Sequence, residues 1–260
     1  MAEGKARRMW ALPGAVFVVP RSSLMVGGSD EIIEVPVPSF LIEHPKGLVL
    51  YDTGSHPRVA DDVASYWGEM FRNMVRFSKD LTVDNQIKAL GYKVTDVKYV
   101  VMSHMHMDHT GGLFMFPHAK LLTMKGELSY AYWPAPDRRN IFLIDDLLPT
   151  RNYQWMELEG EFDMFGDGSL TLLHTPGHTP GSTSMVVRLP HQNIVLAGDA
   201  VHMRDALDSE HTMQVDTDPA QAVASIRRLK AMRDMQGMRV WVSHDPADWA
   251  EMGPAPKAIE

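Results

Sequence analysis

Four metal-binding side chains fall within six residues at His104-Met-His106-Met-Asp108-His109, preceded by the apolar run 99–102 and followed by Thr110-Gly111-Gly112. Alternate residues of an extended strand share a face, so a strand running out near Met102 would aim His104 and His106 at one ion. Asp108 and His109 lie past that strand end, where the chain must curl, and can face a second ion beside the first. Gly111 and Gly112 are read as permitting the close turn. A solvated or core-packed imidazole is the ordinary explanation of any one of these histidines, but it does not explain four ligating groups in six positions. Sites built from His and carboxylate leave coordination open for water and suit hydrolysis, whereas closed structural zinc sites are usually Cys-rich. This chain has no cysteine. The cluster reads as half of a two-metal hydrolytic site.

Three candidates for the other half each follow an apolar run. His178 closes Leu170-Thr-Leu-Leu-His-Thr-Pro-Gly-His178, where the Pro-Gly turn would fix the imidazole at a sheet edge. His174, inside that strand, is the rival ligand and is more simply explained as packed or at the surface. Asp199 ends Asn193-Ile-Val-Leu-Ala-Gly-Asp199, where a carboxylate can bridge two cations with its two oxygens; the plainer reading is an Asp in a turn. His244 ends Met238-Arg-Val-Trp-Val-Ser-His244 before Asp245-Pro246, with a core histidine as the alternative.

These residues resemble the metallo-β-lactamase superfamily. Its HxHxDH signature is matched by His104 to His109, and its later ligands are matched in order by His178, Asp199 and His244. Gly47-Leu-Val-Leu-Tyr-Asp52-Thr-Gly54 resembles its early strand and Asp-x-Gly turn, and Thr175-Pro-Gly-His-Thr-Pro-Gly181 its second ligand loop. Within it, Phe40-Leu-Ile-Glu-His-Pro-Lys-Gly, Gly91-Tyr-Lys-Val-Thr-Asp-Val and Ser243-His-Asp-Pro are most similar to the N-acyl homoserine lactonases.

The resemblance implies a four-layer αββα sandwich, one ion held by His104, His106 and His178, a second by Asp108, His109 and His244, and Asp199 bridging them. It implies two divalent ions, with zinc expected, and a quorum-quenching hydrolase that opens the lactone ring of N-acyl homoserine lactones by a bridging hydroxide. Asp108 would shuttle a proton, and no covalent enzyme intermediate is needed. Where lactonases of this group commonly carry a tyrosine three residues after the bridging aspartate, this chain has His202, so an imidazole would replace a phenol as oxyanion donor. Asp52 is expected to fix the tautomer of a ligand imidazole, since metal-bound His normally donates its other N–H to a carboxylate or carbonyl. The same ligands also suit another lactone, an ester or a thioester. A metal-stabilised binding protein without turnover is the reading of another class, and all seven ligand positions being filled stands against it.

The elements that must position these groups are short apolar strands at 15–19, taken as the first, 38–43, 48–52, 99–103, 120–123, 169–174, 183–188, 194–197 and 239–243. The clearest helix opens at Asp218-Pro219, repeats Val223, Ile226, Leu229 and Met232 at helical spacing, and ends at Gly237. Others are expected over 83–90, closed by Gly91, and from Gly126 toward Trp133. Alone, this order of elements says only mixed α/β. The segment 61–79, with Tyr66, Trp67, Met70, Phe71, Met74 and Phe77, lacks one clean period; it is either ordinary helix core or an apolar acyl-chain wall over the site. Met105 and Met107 interleave with the ligands as a soft lining or as packing beneath the loop.

At 260 residues and 45% hydrophobic composition, the chain can bury a full core as one domain, 1–260, and ligands spread from His104 to His244 must converge. Its net charge of −8, from 25 Lys plus Arg against 33 Asp plus Glu, argues against a nucleic-acid partner. The basic clusters at 5–8 and 227–230 are short and read as solvated faces. Pro13 and Gly14 interrupt the apolar stretch 9–19, so it is read as strand and not as a signal peptide. No run reaches transmembrane length and no membrane partner is expected. The zero cysteine count fits a cytoplasmic location, which is the expectation. Segments 1–10 and 253–256 could reach across a partner in a homodimer, or be disordered.

Overall fold

A computed structural model of the chain describes residues 5–260. Two large sheets are stacked face to face. The first runs, in spatial order, β1 (Arg8–Leu12), β4 (Ser39–His44), β5 (Gly47–Tyr51), β7 (Val97–Val101), β8 (Lys120–Met124) and β9 (Gln154–Leu158), antiparallel as far as β5 and parallel beyond it. The second runs β10 (Phe162–Asp163), β11 (Leu170–His174), β12 (Thr183–Arg188), β13 (Asn193–Leu196) and β14 (Arg239–Trp241), with only the β13–β14 pair parallel.

Both sheets are covered on both faces, which is why their strands read as unbroken apolar runs instead of alternating ones. Phe40, Ile42, Val49, Tyr51 and Val101 meet Leu172, Met185, Val187, Leu196 and Trp241 in the core between the sheets. The next residue along each strand points outward. On the first sheet Leu41, Leu50 and Val100 pack under α2 (Val83–Ala89), α4 (Glu127–Tyr132) and α5 (Ile144–Leu147) through Ile87, Ala131 and Leu147. On the second, Leu173, Val186 and Val195 pack under α6 (Arg204–Ser209) and α7 (Pro219–Gln236) through Leu207, Ile226 and Leu229. The layers are therefore αββα, as the resemblance implied. Three further helices are α1 (Val63–Trp67), α3 (Met107–Thr110) and α8 (Pro246–Met252).

Helix α7 is bounded as its sequence signals: the Asp218 carboxylate accepts from Ala220 and Gln221 N–H at 3.0 Å each, Pro219 leads, and Gly237 ends it at φ 64°. The structure departs from two expectations, at residues 15–19 and in segment 61–79. Residues 15–19 are not the first strand; Arg8–Leu12 precede them and pair with Ser39–Glu43 of β4, because Pro13 and Gly14 divide one apolar stretch into two strands. Both ends of the described chain pack on their own fold. Ala255 N–H donates to Ala11 O at 2.8 Å, and Met9 and Ile259 exchange backbone bonds; residues 1–4 lie outside the described part. The segment 61–79 is no single helix: α1 leads through a 3-10 turn into β6 (Val75–Arg76), which pairs with β2 (Val16–Pro20) and, through it, β3 (Ile32–Pro36) in a third sheet that sequence reading did not anticipate. Among the described residues no helix is long and apolar enough to cross a membrane.

Candidate active site

Strand β7 ends at Val101, and the next residues leave the sheet toward α3. Asp52, just past the end of the neighbouring β5, organises that exit. Its carboxylate accepts from Ser103 N–H and Ser103 O–H, both at 2.7 Å, and meets His109 Nδ1 at 2.9 Å. Asp52 holds φ 60°, a left-handed backbone that a non-glycine residue adopts only when its surroundings over-determine it; three bonds on one buried carboxylate do so. Gly111 and Gly112 have ordinary φ of −61° and −95°, so the tight turn is not what requires them. A Cβ on Gly111 would lie 1.8 Å from His56 N, and one on Gly112 2.6 Å from Thr53 O. The glycines are there because the ligand helix docks backbone to backbone on the loop after β5.

The other ligand candidates also leave strand ends. His178 follows β11 on a loop pressed so closely against α7 that a Cβ on Gly177 would lie 2.2 Å from Ala222 N. Asp199 follows β13 after Gly198, which holds φ 56° and approaches the Tyr51 hydroxyl. His244 follows β14. His174, the rival, turns away and bonds Pro180 O through Nε2 at 2.9 Å.

All seven candidates converge, and Asp199 stands between two groups of them. Its Oδ1 lies 3.0 Å from His244 Nε2 and 3.6 Å from His109 Nε2; its Oδ2 lies 3.6 Å from His178 Nε2 and 3.7 Å from His104 Nε2. Donor atoms of His104, His106 and His178 form one compact set, and those of Asp108, His109 and His244 another, each within 4.8 Å. This is the division that the resemblance implied. The outer nitrogens are held: His104 Nδ1 by Ser103 Oγ at 2.9 Å, His109 Nδ1 by Asp52, His178 Nδ1 by Asp216 at 2.9 Å, and His244 Nδ1 by Pro36 O at 2.7 Å. Each such bond leaves Nε2 turned to the centre, as imidazoles that serve a metal are usually held.

Electrostatically the cluster is unbalanced without cations. Burial holds His104 and His106 neutral, well below the ordinary imidazole range. Burial also opposes charge on His109, yet the carboxylates of Asp108, Asp199 and Asp52 raise it to about 10. Asp199, against its own burial, is kept ionised well below the usual carboxylate range by His244, His109, His104 and His202. His104 Nε2 and His109 Nε2 are buried without any hydrogen-bond partner. A buried polar atom left unpaired costs about 1–3 kcal/mol, and two inward-facing imidazole nitrogens of this kind, with His109 giving up its proton, are what a pair of divalent cations would use. The donor set of imidazoles and carboxylates therefore fits two such ions.

His202 adds a further imidazole, buried, with Nε2 3.2 Å from Asp199 Oδ2 and its ring stacked on His244. Beside the cluster opens a cavity of about 350 Å³. Its floor includes His106, Asp108, His178, Asp199, His202 and His244, and Phe17, Val35, Phe71, Met74, Met107 and Met213 are among its walls. Segment 61–79 divides: Trp67 and Phe71 are core, while Met70, Phe71 and Met74 border the cavity. Sequence reading missed Asp216 and Glu127. Asp216 had a weak signal in Asp216-Thr-Asp218-Pro just before α7. Glu127 had none, because an acid in a helix's first turn is an ordinary surface feature.

A family model described as the metallo-beta-lactamase superfamily matches residues 32–244. The N-acyl homoserine lactonase AttM of Agrobacterium fabrum is 34% identical over 238 residues, covering 88% of this chain and 89% of that one. The lactonase AiiA of Bacillus thuringiensis subsp. kurstaki is 26% identical, covering 92% and 93%. Among solved structures, an N-acyl homoserine lactone hydrolase with N-hexanoyl-L-homoserine at its catalytic metal centre superposes at TM-score 0.87 with 23% identity, covering 98% and 100% of the two chains. The structural likeness supports the fold, and the family model and the sequence relatives settle membership: the chain belongs to the metallo-β-lactamase superfamily, in its N-acyl homoserine lactonase-like branch.

Proposed function

We propose that this chain is a metal-dependent lactonase that opens the ring of N-acyl homoserine lactones, as one catalytic domain spanning 1–260. The observation that carries the reading is the meeting of a cation-fitting centre with an apolar chamber: the ester end of an acylated lactone matches the floor, and its acyl chain the walls. AttM and AiiA carry that substrate in their names.

His104, His106 and His178 would hold one ion, Asp108, His109 and His244 the other, and Asp199 would face both; zinc is the proposed metal, given imidazole and carboxylate donors. Two such ions, when bound, supply water activated near neutral pH and polarisation of a carbonyl. The chain's own residues do the rest. Asp52 and Asp216 hold the His109 and His178 rings in orientation. Apolar walls keep bulk water from the acyl side. His202 presents an imidazole at the cavity floor, where a hydrogen bond can be given to the oxygen that gains charge as the ring carbonyl is attacked. Asp108, partly exposed on the same floor, is placed to carry a proton from the attacking water to the departing ring oxygen. Overall the ring consumes one water and yields a hydroxy acid.

The test is a pH-stat assay of the zinc-loaded protein with short- and long-chain N-acyl homoserine lactones beside γ-lactones lacking the amide, a thioester and a β-lactam. Acid release from the acylated lactones, abolished by chelation and restored by zinc, is expected. Turnover confined to another substrate would keep the metal chemistry and overturn the substrate assignment.

A further inference from the structure

Glu127, the first residue of α4, is fully buried, and an ionisable side chain is rarely found so without partners. Its carboxylate spans two loops from different sheets. Oε1 accepts from Met105 N–H at 2.9 Å, and Oε2 accepts from Gly181 N–H at 2.9 Å. Met105 lies between His104 and His106, and Gly181 is three residues beyond His178. A Cβ on Gly181 would lie 2.4 Å from Glu127 Cβ and 2.9 Å from Oε2, so that position is glycine because the glutamate is there. The same loops are tied once more at their base, where Thr183 N–H donates to Ser103 O at 2.8 Å. Glu127 is the tie nearer the imidazoles, and His106 Nδ1 and His178 Nε2 stand only 3.0 Å apart.

We infer that Glu127 is a positioning residue that sets the gap between the His104–His106 loop and the His178 loop, and thereby the affinity of the first of the two cation positions. The inference rests on the two-ion reading of the site. Only a group with two acceptor oxygens can satisfy both N–H donors. A glutamine has one, and whichever way it turns, its NH2 faces an N–H, donor against donor. Glu127→Gln keeps shape and volume but releases one loop. The second set, Asp108, His109 and His244, makes no contact through Glu127 and should be untouched.

The experiment is a titration of the metal-free full-length protein with Co2+, followed by visible d–d absorption and by competition with a chromophoric chelator, for wild type, Glu127→Gln and Gly181→Ala. Outer residues that orient metal ligands typically change affinity 10–100-fold. Wild type is expected to bind two ions, and each variant to hold one as wild type does and the other 10–100-fold more weakly, with an altered spectrum and a native far-UV circular dichroism. A purely structural role would lower the melting temperature without separating the two affinities. Two ions bound at wild-type affinity in both variants, an equal loss at both positions, or failure of both variants to fold would overturn the positioning role. Wild type that takes up no Co2+ would overturn the two-ion reading itself.

Discussion

Asp146 shows how far one buried acid can be followed. It is 2% exposed, accepts from Tyr66 O–H at 2.5 Å and Thr110 O–H at 3.0 Å, and burial raises its carboxyl to about 6. Between the ordinary carboxylate value and about 6 the folded state binds a proton that the unfolded state has released, so stability falls as pH rises through that window and is level above it. At about 1.4 kcal/mol per pKa unit the loss is on the order of 2–3 kcal/mol. An asparagine can accept from Tyr66 and donate to the Thr110 oxygen. Asp146→Asn is therefore expected to gain stability relative to wild type from about pH 4 to 6 and to keep a constant advantage above, read from urea midpoints; a difference that ignores pH would contradict this. At the site, His202→Phe preserves an aromatic ring against His244 and removes the donor. Loss of one such donor commonly costs about 10²–10³ in kcat, so turnover should fall by that order while two ions per chain are retained. Unchanged turnover would remove His202 from the chemistry.

Elements carry the site in a way that single residues do not. Helix α3 has four residues, too few to be stable alone, and it exists because Gly111 and Gly112 let it dock on the loop after β5. Gly111→Ala places a Cβ against His56 backbone with no flexible side chain to yield. Loss of the Asp108–His109 ion, or of native near-UV circular dichroism, is expected; a variant with two ions and native packing would be contradictory. Helix α7 is tolerant by comparison. Asp218→Ala removes one cap and should cost about 1 kcal/mol, within a usual range of about 0.5–2, measurable as a shifted denaturation midpoint. The sequence made α7 legible because cap, proline and glycine are local signals. It also made the ligand strands legible, since each ends an apolar run in a polar residue and a breaker. The third sheet was legible only through β2: β6 is two residues long, and β3 is exposed or half-buried over Ile32–Glu34 and buried at Val35 and Pro36, so neither carries a period that could be recognised. Asp216 and Glu127 escaped for another reason: each matters through a partner far away in sequence.

Over the whole molecule, seven ligand candidates drawn from strand ends on both sheets meet at one edge of the αββα sandwich, beside the core between the sheets. The convergence was foreseeable from spacing and resemblance; the cavity walls were foreseeable only in part, since segment 61–79 and Met107 read as a wall or lining, while the share from β2, β3 and the loop before α7 carried no such signal. A centre that binds cations only when folded adds stability by mass action, about 4 kcal/mol at a thousandfold excess over the dissociation constant. Removing metal should therefore lower the melting temperature as well as the rate. The most direct measurement is the initial rate of N-acyl homoserine lactone opening against equivalents of Zn2+ added to metal-free protein. A rate that climbs to a plateau at two equivalents per chain is predicted. A rate that is full without metal, or complete at one equivalent, would contradict the two-ion lactonase.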